Sequence, residues 1–230
     1  MSGAVTSLPA GPRGGDRQLF VWAAALLLAC VFAGFARNYY LRLWFGTRVI
    51  TPLVHAHGLL MSSWVALFVA QTWLIERGRI RIHRRLGVLG VLLAALAVAG
   101  AATVTLAQVV RRAADIPHRL LLFVAFDGVH LLVFAGLVTA ALLLRRRGDI
   151  HKRLMLFATV SLLPPAFGRI TGYFTRHESP LTVLLLMVAV ILACVVADSL
   201  RHRRLHPAAA ACAALLILSS AATQLAQRYS

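Results

Sequence analysis

Acidic residues are scarce: the 230-residue chain has 7 Asp and Glu against 24 Lys and Arg, a formal charge of +17. Chemistry that needs a pair of carboxylates therefore has little to draw on, and Asp127 is the one acid deep inside an apolar run. Cysteine is scarce too. Cys30, Cys194 and Cys212 each stand alone in an apolar run, with no CxxC. That excludes a disulfide framework and a cysteine metal knuckle, and leaves three small apolar residues. Neither a P-loop, a dinucleotide-binding glycine fingerprint nor a G-x-S-x-G elbow occurs, so no nucleotide site or hydrolase nucleophile is written in the chain. Short alternating segments of the β-barrel kind are missing as well.

Long apolar runs fill the space. Hydrophobic residues make up 60% of the chain and the mean hydropathy is +0.80, well above the ~45–50% apolar content of a soluble domain. The runs cover 18–36, 52–75, 86–110, 118–144, 152–170, 181–196 and 207–226. A helix of about 20 apolar residues crosses ~30 Å of hydrocarbon, and in lipid such a run has to be a helix. The expected fold is an all-α polytopic bundle of about seven transmembrane helices. Residues 1–17, rich in Gly, Ser and Pro, read as a disordered cytoplasmic tail, and 18–230 as one transmembrane domain. The first run is long enough to span and no clear A-x-A site follows it, so it reads as a retained helix rather than a signal peptide.

Local signals mark the joints. Thr51-Pro52 and Ser179-Pro180 pair an N-cap residue with Pro at the first helical position. Pro164-Pro165 falls inside the fifth run and should kink or break it. The basic residues sit at the ends of the runs, where they reach lipid headgroups; that accounts for the charge without a nucleic-acid partner. Counting the tail and alternate loops, 15 Lys and Arg fall on one side and 9 on the other. The positive-inside rule places the N-terminus in the cytoplasm and the C-terminus outside a cytoplasmic membrane.

Two basic loops echo each other. Ile82-His83-Arg84-Arg85-Leu86 precedes the third run and Ile150-His151-Lys152-Arg153-Leu154 the fifth. Each follows a run holding histidine: His55 and His57 in the second, His130 in the fourth. The unit occurs twice in one orientation, as in a parallel repeat, with the second to fifth runs forming a four-helix core. Polar groups inside spans point to function. In the second run His57, Trp64 and Gln71 are spaced by seven with Met61 and Phe68 between, one stripe facing inward. Gln71 could simply bond a neighbouring helix. His55 is turned ~200° from His57.

Four consecutive runs each offering a histidine suggest haem b. His57 with His130 would clamp one haem toward the outside, and His83 with His151 another toward the cytoplasm. Arg84 and Arg153 would pair with propionates. His57 lies about one helical turn further than His130 from the inner end of its span, which weighs against that pair. An alternative is a Zn or Cu site from His55, His57, Asp127 and His130, suited to a metal-handling or respiratory-oxidase assembly role. A further alternative is a non-catalytic membrane protein in which Asp127 locks to Arg169 or His130. Electron partners are open: a quinone or a redox protein would serve.

The one-histidine-per-helix pattern resembles ascorbate-reducible transmembrane cytochromes b and ferric reductases, which pair the second helix with the fourth and the third with the fifth. More closely, His57–Gly87, H-G-x3-S-x-W-x2-L-F-x2-Q-x2-L-I-x2-G-R-x3-H-R-x-L-G, with His151-Lys152-Arg153-Leu154-Met155, is similar to a group of small uncharacterised bacterial membrane proteins. Those carry an H…H-R-x-x-G hairpin followed by an H-R-x-M hairpin. That resemblance covers roughly residues 50–170 and implies a helical membrane fold; haem held by the four histidines is what the likeness to the cytochromes b implies.

Overall fold

The computed structural model describes residues 14–47, 49–112, 117–175 and 179–228; the side chains of 14–17, 112, 117–127, 175 and 226–228 lie outside the description. Among the described residues there are nine α-helices and no strand. They are α1 Gly14–Phe35, α2 Arg42–Phe45, α3 Pro52–Glu76, α4 Ile80–Arg112, α5 Pro117–Leu143, α6 Gly148–Val160, α7 Pro164–Thr175, α8 Pro180–His202 and α9 Pro207–Arg228, with a π-helical turn over Ala36–Tyr40. Six stretches are long and apolar enough to cross a bilayer: Gln18–Tyr40, Pro52–Glu76, Ile80–Arg111, Gly148–Phe174, Pro180–His202 and Pro207–Leu225. The seventh expected span is α5, 27 residues long, whose described side chains form the apolar stretch Gly128–Leu143. The protein is an all-α, multi-pass membrane helix bundle.

The helix ends follow their local chemistry. Thr51 Oγ1 accepts from Val54 N and Ser179 Oγ from Thr182 N, each at 3.4 Å and each followed by Pro, which satisfies N–H groups that a helix start leaves open. Gly78, at φ +69°, takes the left-handed turn after α3, a conformation glycine adopts without a Cβ penalty. That turn is so tight that α4 starts at Ile80. The expected loop 76–85 is therefore mostly helix, and His83 stands in the first turn of α4 rather than ahead of the span. The fifth and sixth spans are likewise longer at their basic ends. α6 opens at Gly148 with Asp149 and His151 inside it, and α8 runs on to His202. The tail expected over 1–17 lies outside the described residues except for 14–17, which are already helical.

Pro164 breaks the fifth span into α6 and α7, as the double proline requires. Between them Ser161 N bonds Phe157 O at 3.0 Å and Ser161 Oγ donates to Ala158 O at 2.7 Å. Leu163 and Ser161 are wholly enclosed. Irregular backbone at membrane depth survives only where protein covers it, and this broken helix is the centre of the molecule.

α1, α3, α4 and α5 pack in succession, with α1 also on α7 and α5 also on α6; α9 packs on α5 and α6, and α8 on α7 and α9. Leu89, Leu92 and Leu96 on α4 and Leu185 and Leu192 on α8 face outward, since a bilayer solvates apolar side chains as readily as a core does. α1 and α7 approach closely: a Cβ on Gly34 would sit 2.7 Å from Ala166, and Tyr173 Oη donates to Gly34 O at 2.9 Å.

Candidate functional site

The basic ends of α3 to α6, with the loop after α8, enclose a cavity of about 1360 Å³. Its apolar depth is walled by Leu67, Phe68, Val138 and Leu142, and Trp64 reaches it from mid-helix. Its mouth carries Arg84, Arg145, Arg146 and Arg204. Cations on the first turn of a helix oppose the macrodipole, so Arg84 and its neighbours on α4 sit where helix physics disfavours them. Headgroups or an anion at the mouth offset that cost.

His83 and His151 both line this cavity, one from α4 and one from α6. Each is three residues into its helix, hence about 4.5 Å above the helix start, and the two rings are near enough to interact electrostatically. Both histidines of the loop echo therefore line one cavity, from separate helices. His151 Nδ1 bonds Ala141 O at 2.8 Å, which fixes its ring and leaves Nε2 as the atom available to a ligand. A main-chain carbonyl on the distal nitrogen is the usual support of a metal-binding histidine. His83 Nδ1 is buried without a partner.

The other predicted pair is less well matched. Trp64 and Phe134 meet edge to face with centroids 5.0 Å apart, so α3 and α5 face each other as expected. His57 lies seven residues before Trp64 and His130 four before Phe134; at 1.5 Å per residue the imidazoles differ in height by about 4.5 Å. His130 is buried. His57 Nδ1 is buried without a partner and packs on Gly100 of α4.

Two expected roles change. Arg153, assigned to a propionate, is only 2% exposed and is already paired. Its Nε and Nη2 donate to Asp198 Oδ2 and Oδ1 at 2.7 and 2.8 Å, and Nη1 donates to Asp149 O at 2.6 Å. A guanidinium so engaged has its fork filled; Arg145 and Arg146 join Arg84 at the mouth in its place. Of the alternative metal set, His55 is exposed with its ring against Tyr39, centroids 5.6 Å apart, turned from His57 as the helical angle requires. The side chain of Asp127 lies outside the described residues. Among the described residues no three His, Cys, Asp or Glu side chains gather as a metal set.

Sequence reading missed Asp198, because the sixth run was ended at Val196. The helix continues, and His202, one turn on, places Nδ1 2.7 Å from Asp198 O and 3.2 Å from Oδ1. Asp149 and His206 add a contact at 3.3 Å. The spacing of Asp198 and His202 by four was a visible signal.

These features define a class: a multi-pass helical membrane protein with a basic-mouthed cavity lined by histidines from two separate helices. Compared with protein-family models, curated proteins and solved structures, the chain matches none.

Proposed function

We propose that this is a b-type haem protein of the cytoplasmic membrane that carries electrons, with its haem held by His83 and His151 at the basic, cytoplasmic end. The observation that carries the reading is that these two imidazoles, from separate helices, line one cavity and lie near enough to interact electrostatically. The Ala141 carbonyl on His151 Nδ1 supports it further, as does the volume of about 1360 Å³, above the ~300–1,000 Å³ typical of a pocket for one drug-sized molecule. When bound, the haem supplies a one-electron iron couple.

The chain's own residues set its environment. His83 and His151 would ligate, and Ala141 O orients the second of them. Arg84, Arg145 and Arg146 would pair with the two propionates at the water-facing rim. Leu67, Phe68 and Leu142 would keep water from a bound ring, and such exclusion raises the weight of every nearby charge. The orientation rests on the excess of Lys and Arg at this end.

The test is expression with ample haem supply, purification in detergent and a reduced-minus-oxidised spectrum. The expected result is a sharp bis-histidine signature that His83→Ala and His151→Ala each abolish while the protein stays monodisperse. A colourless wild-type protein that binds no added haem overturns the reading.

A further inference from the structure

Deeper in the same cavity two polar atoms lack partners. Trp64 is 3% exposed, and its Nε1 is buried with no acceptor. Gln71 Oε1 is buried with no donor. Both residues line the cavity. An unmet buried donor or acceptor is costly, and these two stand on one face of α3, among Leu67, Phe68, Val138 and Leu142. They differ in kind: Trp64 can only donate, while Gln71 Oε1 can only accept. A ligand satisfying both presents an oxygen acceptor at one end and a hydroxyl donor at the other, joined by an apolar body.

Trp64 and Gln71 are seven residues apart, two turns along one face of α3, with about 10.5 Å of rise between their Cα atoms. Trp64 lies toward mid-bilayer, and Gln71 is close to His83, whose ring interacts with the Gln71 main chain. A ligand spanning the pair would therefore run from the membrane interior toward the two histidines.

We infer that the depth of this cavity binds the head of a lipid-soluble quinol, one hydroxyl oxygen accepting from Trp64 Nε1 and the other hydroxyl donating to Gln71 Oε1. The choice of a quinol among bifunctional amphiphiles rests on the redox reading above. The stripe of His57, Trp64 and Gln71 thereby divides: Trp64 and Gln71 hold the reductant, and His57 lies beyond them.

The experiment is anaerobic equilibrium dialysis of the purified full chain against a short-chain benzoquinol, with the dimethyl ether of the same quinol as the control that cannot donate. Saturable binding is expected, with the ether held roughly fivefold to tenfold more weakly, the value of one buried hydrogen bond. Gln71→Met should weaken the quinol by a similar factor and leave the ether unchanged; Trp64→Phe should weaken both. Equal binding of quinol and ether to the wild type overturns the inference, whatever the variants do. The haem spectrum is recorded on the same samples. Haem-loaded protein that binds no quinol overturns this site alone. Haem-free protein that discriminates quinol from ether keeps the site and overturns the haem.

Discussion

Arg153 shows why single residues were the hardest part of this sequence to read. In the chain it stands in a run of interfacial cations, beside Lys152 and after Arg145 to Arg147, and nothing local separates a snorkelling arginine from a buried one. Its partner Asp198 is 45 positions away, so only the packing of α8 on α6 brings them together. Once paired at 2.7 and 2.8 Å with both side chains almost fully enclosed, neither can be removed alone. Asp198→Leu strands a guanidinium in low dielectric, at a cost of about 3–5 kcal/mol. We expect a sharp loss of folded yield and a lowered melting temperature in detergent. Arg153→Met with Asp198→Leu should recover most of the loss, since a well-packed apolar pair replaces a buried ion pair at little cost. A double variant no more stable than the single would show that the arginine's other contacts, with Asp149 O and His202 Nδ1, carry the effect. His151 was marked for the opposite reason: the I-H-[RK]-R-L echo singles it out locally, and it lines the same cavity as His83.

At the scale of elements the chain is far more transparent, because the bilayer imposes length and composition on every crossing segment. The expected runs coincide with helices, and the double proline forecast the α6–α7 break. What escaped was whatever depends on close approach. The stretch 37–51 read as a plain loop, yet Ala36–Tyr40 coils into a π turn and α2 follows, with Leu43 and Trp44 84% and 88% exposed, positions suited to the lipid–water interface. Tyr39 of that turn lies over Gly58, where a Cβ would meet its ring at 2.5 Å, and Tyr40 Oη is 2.7 Å from Ser62 Oγ. Gly34 is a second such point. Its Cβ would strike the Ala166 main chain as well as its side chain, so no rotamer change relieves the collision. Gly34→Val is expected to push α1 off α7, break the Tyr173 bond and destabilise by at least the ~1–3 kcal/mol typical of overpacking. Thermal unfolding in detergent reads this directly, and an unchanged melting temperature would show that the two helices part without penalty. Gly46, whose added Cβ meets nothing but whose φ is +60°, serves as the comparison: Gly46→Ala should cost only about 1 kcal/mol, from backbone strain alone.

For the whole molecule, the proposed function raises the question of how many haems the bundle would hold. The repeat suggests two, one for each pair of facing histidines. His83 and His151 each stand three residues into a helix, after the turn at Gly78 and the turn over 144–147, and line one cavity. The outer pair is set differently. The edge-to-face contact of Trp64 with Phe134 pins α3 against α5, and measured from that pin His57 stands about 4.5 Å beyond His130. Two axial ligands must approach one iron from opposite sides, and an offset near a full helical turn defeats that unless a helix slides. Sliding would break the Trp64–Phe134 contact, worth about 0.5–1.5 kcal/mol beyond its burial. One haem per chain is therefore expected from parallel haem and protein assays on the purified protein. His57→Leu should leave both the ratio and the spectrum intact, while His83→Ala takes the ratio to zero. A ratio of two, halved by His57→Leu, would mean that the outer rings do level, and would extend the electron path across the bilayer.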